Sequence, residues 1–235
     1  NADNLTYLTQ SITTLQNEAA KTPRGIPLFI ATDQEGGWVR HVKGSTSVTP
    51  GNLAIGSSGY LSDAYETGYH IGLELKALGV NMNFAPTVDI YTDHRADVIG
   101  PRAFSEDPVD TALLGVAYYR GMEKAGIICT AKHFPGHGAA DKDSHGTLPL
   151  IRGNLETLMK RELVPYRFLI KEGLPAIMSG HLGFPDILGN DTPASLSSYF
   201  LKKVLRGTLG FKGLIITDDL RMNGAGSSDA NMPRI

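Results

Sequence analysis

Hydrophobic and polar positions follow two alternating rhythms along this chain. Stretches with apolar residues three and four apart, the spacing of one helix face, give way repeatedly to short runs that are apolar throughout. Five such runs stand out: Pro27 to Thr32, Val80 to Ala85, Ile127 to Ala131, Pro175 to Ser179, and Leu214 to Thr217. Each follows a helical stretch. The first helix carries Leu5, Leu8, Ile12 and Leu15, and the second carries Ile71, Leu75 and Leu78. The third runs from about Val109 to Lys124, the fourth from Leu155 to Ile170, and the fifth starts near Ser197.

Short strands that are apolar on both faces belong in parallel sheets covered by helices. Glycines stand between helix and strand at Gly79, Gly126, Gly173, Gly210 and Gly213, where a left-handed residue ends a helix without a Cβ clash. The pattern therefore predicts an α/β fold, either a barrel or a doubly wound open sheet. No glycine-rich phosphate loop follows the first run, which argues against a nucleotide-binding open sheet. The runs recur about every 40 to 50 residues, long for bare strand–helix units, so the loops carry extra length.

That extra length begins in polar clusters at the end of each run: Asp33-Gln34-Glu35, Pro86-Thr87-Val88-Asp89, Lys132-His133, His181 and Asp218-Asp219. In barrels and α/β sheets the carboxyl ends of the strands are where ligands bind. The pattern thus gathers the chemistry on one rim.

Composition adds limits. The chain has 235 residues, 41% hydrophobic and 20% charged, within the range of a globular domain. A net charge of -2 gives no reason to expect nucleic acid or an acidic membrane surface as partner. No run approaches the roughly 18 apolar residues that span a bilayer. The single cysteine, Cys129, lies in an apolar run and reads as a small buried hydrophobe. A free thiol fits a reducing cytoplasm, with an exported form left open. The start at Asn1 rather than Met fits a removed leader or a sequence that begins mid-chain.

The densest chemistry lies in Lys132-His133-Phe134-Pro135-Gly136-His137-Gly138 and the following Asp141-Lys142-Asp143-Ser144-His145-Gly146. Two functions compete there. His133, His137 and His145 could serve as neutral imidazole ligands to a metal. Alternatively, Asp143 orients His145 and raises its basicity for proton transfer. Spacing does not decide between them. Asp218 and Asp219 could cap a turn or present a nucleophilic carboxylate to an anomeric carbon. Asp33 could accept two sugar hydroxyls. Trp38 could stack on a sugar or pack beneath its loop. Arg102 could bind hydroxyls or a carboxylate through its guanidinium fork, or anchor its loop by a salt bridge. His41, His70 and His94 gain no role from these patterns, and His70 reads as part of a helix.

These clusters, in this order, resemble glycoside hydrolase family 3, and within it the bacterial β-N-acetylglucosaminidases. The resemblance rests on Thr32-Asp33-Gln34-Glu35-Gly36-Gly37, Asn83 to Asp89, Arg102-Ala103-Phe104-Ser105, Lys132 to Gly138, Asp143-Ser144-His145, Met178-Ser179-Gly180-His181, and Thr217 to Met222. It implies a (β/α)8 TIM-barrel fold, with the five runs as its third to seventh strands. The chain from 1 to 235 would then hold the N-terminal catalytic domain, short of the full barrel at both ends. It also implies a retaining glycosidase with no cofactor and no metal. In that reading Asp218 is the nucleophile, His145 the acid/base and Asp143 its partner. Asp33, Arg102, Lys132 and His133 bind a β-linked N-acetylglucosamine, for instance in peptidoglycan fragments. Phosphate in place of water stays open. One departure concerns an arginine that the family carries eight residues after the first aspartate. His41 stands at that position here and Arg40 beside it, so either a local shift lets Arg40 serve or a sugar contact is weakened.

Overall fold

The computed structural model describes residues 4–92, 98–140 and 142–226. His94 and Asp141 therefore lie outside the described residues. Five parallel strands form the main sheet in the order β1 (Ala31–Thr32), β4 (Met82–Asn83), β5 (Ile128–Phe134), β6 (Ala176–Ser179) and β7 (Leu214–Thr217). Two short antiparallel strands, β2 (Gln34–Gly36) and β3 (Val39–Arg40), form a hairpin directly after β1. The helices are α1 (Leu5–Ala20), α2 (Asn52–Ser58), α3 (Leu61–Ala77), α4 (Pro108–Ala125), α5 (Leu155–Lys160), α6 (Val164–Lys171) and α7 (Pro185–Leu188). A π-helix, Tyr199–Thr208, precedes β7.

Four of the five apolar runs become strands close to their expected places. The first does so only at its end. Leu28 and Phe29 are 41% and 65% exposed, because β1 has a partner on one side only, β4. The backbone of Leu28 is held instead by the Gln16 side chain, which both donates to and accepts from it at 3.0 and 2.9 Å. The helix expected from Leu155 to Ile170 is two helices, α5 and α6. Pro165 is the cause. It lacks an N–H and sits in the first turn of α6, where no intrahelical donor is required, whereas mid-helix it would break the ladder. The interruption turns Glu162 inward, where it is buried. The α2 helix and the β2–β3 hairpin carry no strong periodicity and had no counterpart in the sequence reading.

Four of the five expected glycine stops, Gly79, Gly126, Gly173 and Gly210, are at positive φ, whereas Gly213 is not. The α3 and α4 helices pack with their backbones close together. A Cβ on Gly68 would come within 2.2 Å of the Tyr118 carbonyl oxygen, and one on Gly121 within 2.0 Å of that of Tyr65. The core lies between the sheet and these helices, and Cys129 is buried within it. Phe134 closes it against Tyr166 of α6, edge to face at 5.4 Å.

Candidate active site

The carboxyl ends of the strands converge on one cleft of about 360 Å³. It is lined by Asp33, Glu35, His41, Arg102, Lys132, His133, His137, His145, Asp218 and Asp219, with Val39, Val98, Ser144, Met178 and Met222 between them. All seven sequence-predicted site residues except Asp143 line it directly, and Asp143 reaches it through His145.

Local structure explains how two consecutive residues of β5 both serve the cleft. In a regular strand Lys132 and His133 would point to opposite faces. Here three steps along β5, from Ala131 to Phe134, match two along β6, from Ile177 to Ser179. The extra residue is a bulge that re-aims side chains. Lys132 reaches Asp33 at 2.6 Å and Glu35 at 2.7 Å. His133 reaches Asp89 through Nδ1 at 2.7 Å, and its Nε2 lies 3.4 Å from Arg102.

Glu35 is the hub of the charged cluster. Arg102 donates to its two oxygens through Nε and Nη2 at 3.0 and 2.8 Å, while Lys132 bonds the same carboxylate. Burial alone would raise the Glu35 pKa, but Lys132 and Arg102 bring it from 4.5 down to about 2. Burial would likewise lower that of Lys132, yet Glu35 and Asp33 leave it raised. The fork of Arg102 thus binds a carboxylate of its own chain and tethers its loop, while its side chain still borders the cleft.

Asp89 plays the same part for the histidines. It is fully buried and accepts from the His133 amide at 3.3 Å, from His133 Nδ1 at 2.7 Å and from the His137 amide at 2.6 Å. Burial would raise its pKa, and His133 overcomes that to hold it below the usual carboxylate range. His137 is buried close to His133, and desolvation takes it from 6.5 down to about 4. Its Nε2 faces the Ser144 hydroxyl at 3.3 Å.

The Asp143–His145 pair lies at the mouth of the cleft. His145 is 71% exposed on its side chain, and its Nδ1 meets Asp143 Oδ1 at 2.7 Å. The His145 amide donates to the same oxygen at 2.9 Å. Burial would raise the Asp143 pKa, but these bonds from His145 lower it. The segment after β7 is joined to this loop by its backbone. Gly224 N donates to Ser144 O at 2.9 Å and Asn223 N to His145 O at 3.4 Å. Asp218 stands at the end of β7, its amide still bonded to Ser179 O at 3.0 Å and its Oδ1 accepting the Asp219 amide at 2.8 Å. Arg221 pairs with Asp219, chiefly through that side-chain bond lowering the Asp219 pKa to about 2.

The structure also separates Arg40 from His41. Arg40 turns outward, donating to the carbonyls of Thr46 and Ser47 at 3.4 and 3.1 Å. His41 lines the cleft. Its backbone is fixed by its own bond to Asp33 O at 3.3 Å and by buried Gln34, which clamps the neighbouring Val42 through two bonds at 2.9 and 3.0 Å. Trp38 is 77% exposed and lies outside the cleft lining, so it neither packs beneath the loop nor borders the cleft. His70 sits on α3 facing Glu66 at 3.4 Å. Among the described residues no three His, Cys, Asp or Glu side chains converge as metal ligands. His133 and His145 instead each direct Nδ1 to a carboxylate.

Glu35, Asp89 and His181 gained no role from the sequence, and His137 gained one only as a candidate metal ligand, yet these four hold the site together. Their signal was position, since each lies within or just after a polar cluster at a strand end.

Comparison with known proteins agrees with this geometry. Residues 1–232 match the glycosyl hydrolase family 3 N terminal domain. Beta-hexosaminidase A of Pseudoalteromonas piscicida is 37% identical over 240 residues, covering 95% of this chain and 40% of its own length. A solved glycoside hydrolase family 3 beta-N-acetylglucosaminidase from Paenibacillus sp. str. FPU-7 superposes with a TM-score of 0.90 at 42% identity, over 92% of this chain and 41% of that one. Beta-glucoside phosphorylase BglX superposes with a TM-score of 0.87 at 29% identity, over 94% and 41%. The chain thus spans about two fifths of the length of these relatives. Its parallel sheet with flanking helices is a section of the (β/α)8-barrel fold.

Proposed function

Because the chain belongs to glycosyl hydrolase family 3 through its N-terminal domain, we propose that it serves a retaining exo-β-N-acetylglucosaminidase, with this cleft as the active site. The observation that carries the proposal is the meeting of Asp218 with the Asp143–His145 pair around one polar cleft.

In this mechanism the sugar lies against Asp33, Lys132, Arg102 and His133. Asp33 accepts hydroxyl protons, and the cations and imidazole donate to or accept from neighbouring hydroxyls. Glu35 and Asp89 hold these groups in place beforehand, so little ordering is left for the moment of reaction. Asp143 holds Nδ1 of His145, which leaves Nε2 as the nitrogen that meets the glycosidic oxygen. Protonated His145 gives that proton to the leaving oxygen as Asp218 attacks the anomeric carbon, and the glycosidic bond breaks with its electron pair on the leaving group. Neutral His145 then takes a proton from water, whose oxygen attacks the anomeric carbon and releases Asp218. Two inversions leave the configuration retained. An imidazole has an ordinary pKa near 6.5, suited to neutral pH without the burial a glutamic acid would need.

A second reading has one support, the relative named as a beta-glucoside phosphorylase. A neutral imidazole base does not repel a phosphate anion as a carboxylate would, so phosphate could enter in place of water.

The test is release of chromophore from a chromogenic β-N-acetylglucosaminide by the chain, with Asp218→Asn, EDTA-treated and phosphate-supplemented samples in parallel. Turnover that survives EDTA and disappears in the Asp218 variant supports the glycosidase. A sugar 1-phosphate product in the phosphate arm would replace hydrolysis by phosphorolysis. Turnover that EDTA abolishes would overturn both in favour of a metal hydrolase.

A further inference from the structure

We propose that His181 is a positioning residue for Asp218, acting through a relay that runs from the Ser195 hydroxyl through the His181 ring to the Asp219 backbone; the proposal rests on the glycosidase reading for its kinetic consequence only. His181 follows β6 and is completely buried, and Ser195 is nearly so. Its Nε2 lies 3.0 Å from the Asp219 carbonyl oxygen and its Nδ1 2.7 Å from Ser195 Oγ. A carbonyl can only accept, so Nε2 must carry a proton. With Nε2–H fixed, the Ser195 hydroxyl donates to Nδ1, and the ring needs no charge to satisfy both contacts. A second proton would place a buried cation between a hydroxyl and a carbonyl.

The relay matters because of where it ends. The β7 ladder stops at the bond from Asp218 N to Ser179 O. Beyond it, Asp219 is the residue that orients the nucleophile, since its amide donates to Asp218 Oδ1 at 2.8 Å. The Asp219 carbonyl is anchored from outside its own turn by His181. The Asp219 carbonyl and amide lie in adjacent peptide planes that meet at its Cα, so anchoring the carbonyl limits how far the residue can turn its amide away from Asp218 Oδ1. Gly224 closes the arrangement from the other side, because a Cβ there would lie 3.1 Å from His181 Cβ and 2.7 Å from Ser144 O. His181 itself is absent from the cleft lining, so it acts through Asp219 rather than on the sugar.

Two measurements test this on the full chain. In 15N-detected NMR of the imidazoles, His181 should show a protonated Nε2 and an unprotonated Nδ1 at neutral pH, and Ser195→Ala should move the Nδ1 signal. In kinetics, His181→Ala should lower kcat about ten- to hundredfold with KM within about threefold, the scale of a misplaced reacting group. His181→Gln, which can return an amide donor toward the Asp219 carbonyl, should recover part of the loss, and Ser195→Ala should cost less than His181→Ala. A protonated Nδ1, an unchanged kcat in a folded His181→Ala, or a loss confined to KM would each overturn the proposal. The NMR result is read without turnover, so an inactive wild-type chain with the expected tautomer counts against the glycosidase reading and not against the relay.

Discussion

Replacing Glu35 by Gln should cost the fold about 3 kcal/mol at neutral pH, and acid should erase most of that difference. The side chain is 2% exposed and faces two cations, Arg102 at 2.8 Å and Lys132 at 2.7 Å. A carboxyl that titrates near 2 in the fold and near 4.5 when unfolded contributes about 3 kcal/mol above pH 4.5, at about 1.4 kcal/mol per pH unit. Removing one partner of a buried pair costs about 3–5 kcal/mol by an independent route. The lower figure is the better guide, because Lys132 keeps Asp33 at 2.6 Å and Arg102 keeps the Val98 carbonyl at 2.9 Å. The folded-state pKa is depressed, so the stabilisation is complete above pH 4.5 and disappears as pH falls through about 2. By pH 3 less than half should remain. Guanidinium unfolding of wild type and Glu35→Gln at pH 7, 5 and 3 measures it. A difference below about 1 kcal/mol at pH 7, or one that stays constant down to pH 3, would refute the reasoning.

Other substitutions probe the remaining supports. His137 titrates near 4 in the fold against 6.5 outside it. The unfolded chain therefore takes up its proton first, and stability should decline by about 3 kcal/mol between pH 6.5 and pH 4; a His137→Gln variant whose Tm falls as steeply as wild type over that interval would contradict this. Asp89→Asn removes a charge that accepts three bonds from His133 and His137, and should destabilise by about 3 kcal/mol in urea titrations. Gly224→Ala would set its Cβ 2.7 Å from Ser144 O. Overpacking of this kind costs about 1–3 kcal/mol, and here kcat should fall with it, whereas activity equal to wild type would mean the contact is not kept during turnover.

The sheet was legible because its strands are apolar on both faces and its helices end at glycine, two features that are local in sequence. Leu28 and Phe29 misled for a physical reason: they are as apolar as a central strand but flank an edge. The break between α5 and α6 was legible in principle at Pro165, whose place in a first turn is coded by the ring itself. The cleft residues were legible because they cluster at strand ends. What holds them was not. Glu35 looks like any loop carboxylate until its partners Arg102 and Lys132, 67 and 97 positions away, are brought beside it. The bulge in β5 lies just past the uniform run Ile127 to Ala131, between Ala131 and Phe134, and no pattern of residue types there encodes it. Whether Arg40 or His41 faces the cleft depended on Gln34 clamping Val42, a contact between side chain and backbone that no pattern of residue types encodes.

The backbone bonds from Asn223 and Gly224 to the loop of His145 have a thermodynamic consequence. Two segments joined in this way share one ordering equilibrium, and linkage makes the sharing reciprocal. A ligand that orders the His145 loop should order the stretch behind Asp218 by the same free energy, and one that touches only that stretch should order the loop. Under the proposed mechanism, His145 and Asp218 would then be ordered by a single binding event, and a ligand's grip on either one could be read in the hydrogen-exchange protection of the other.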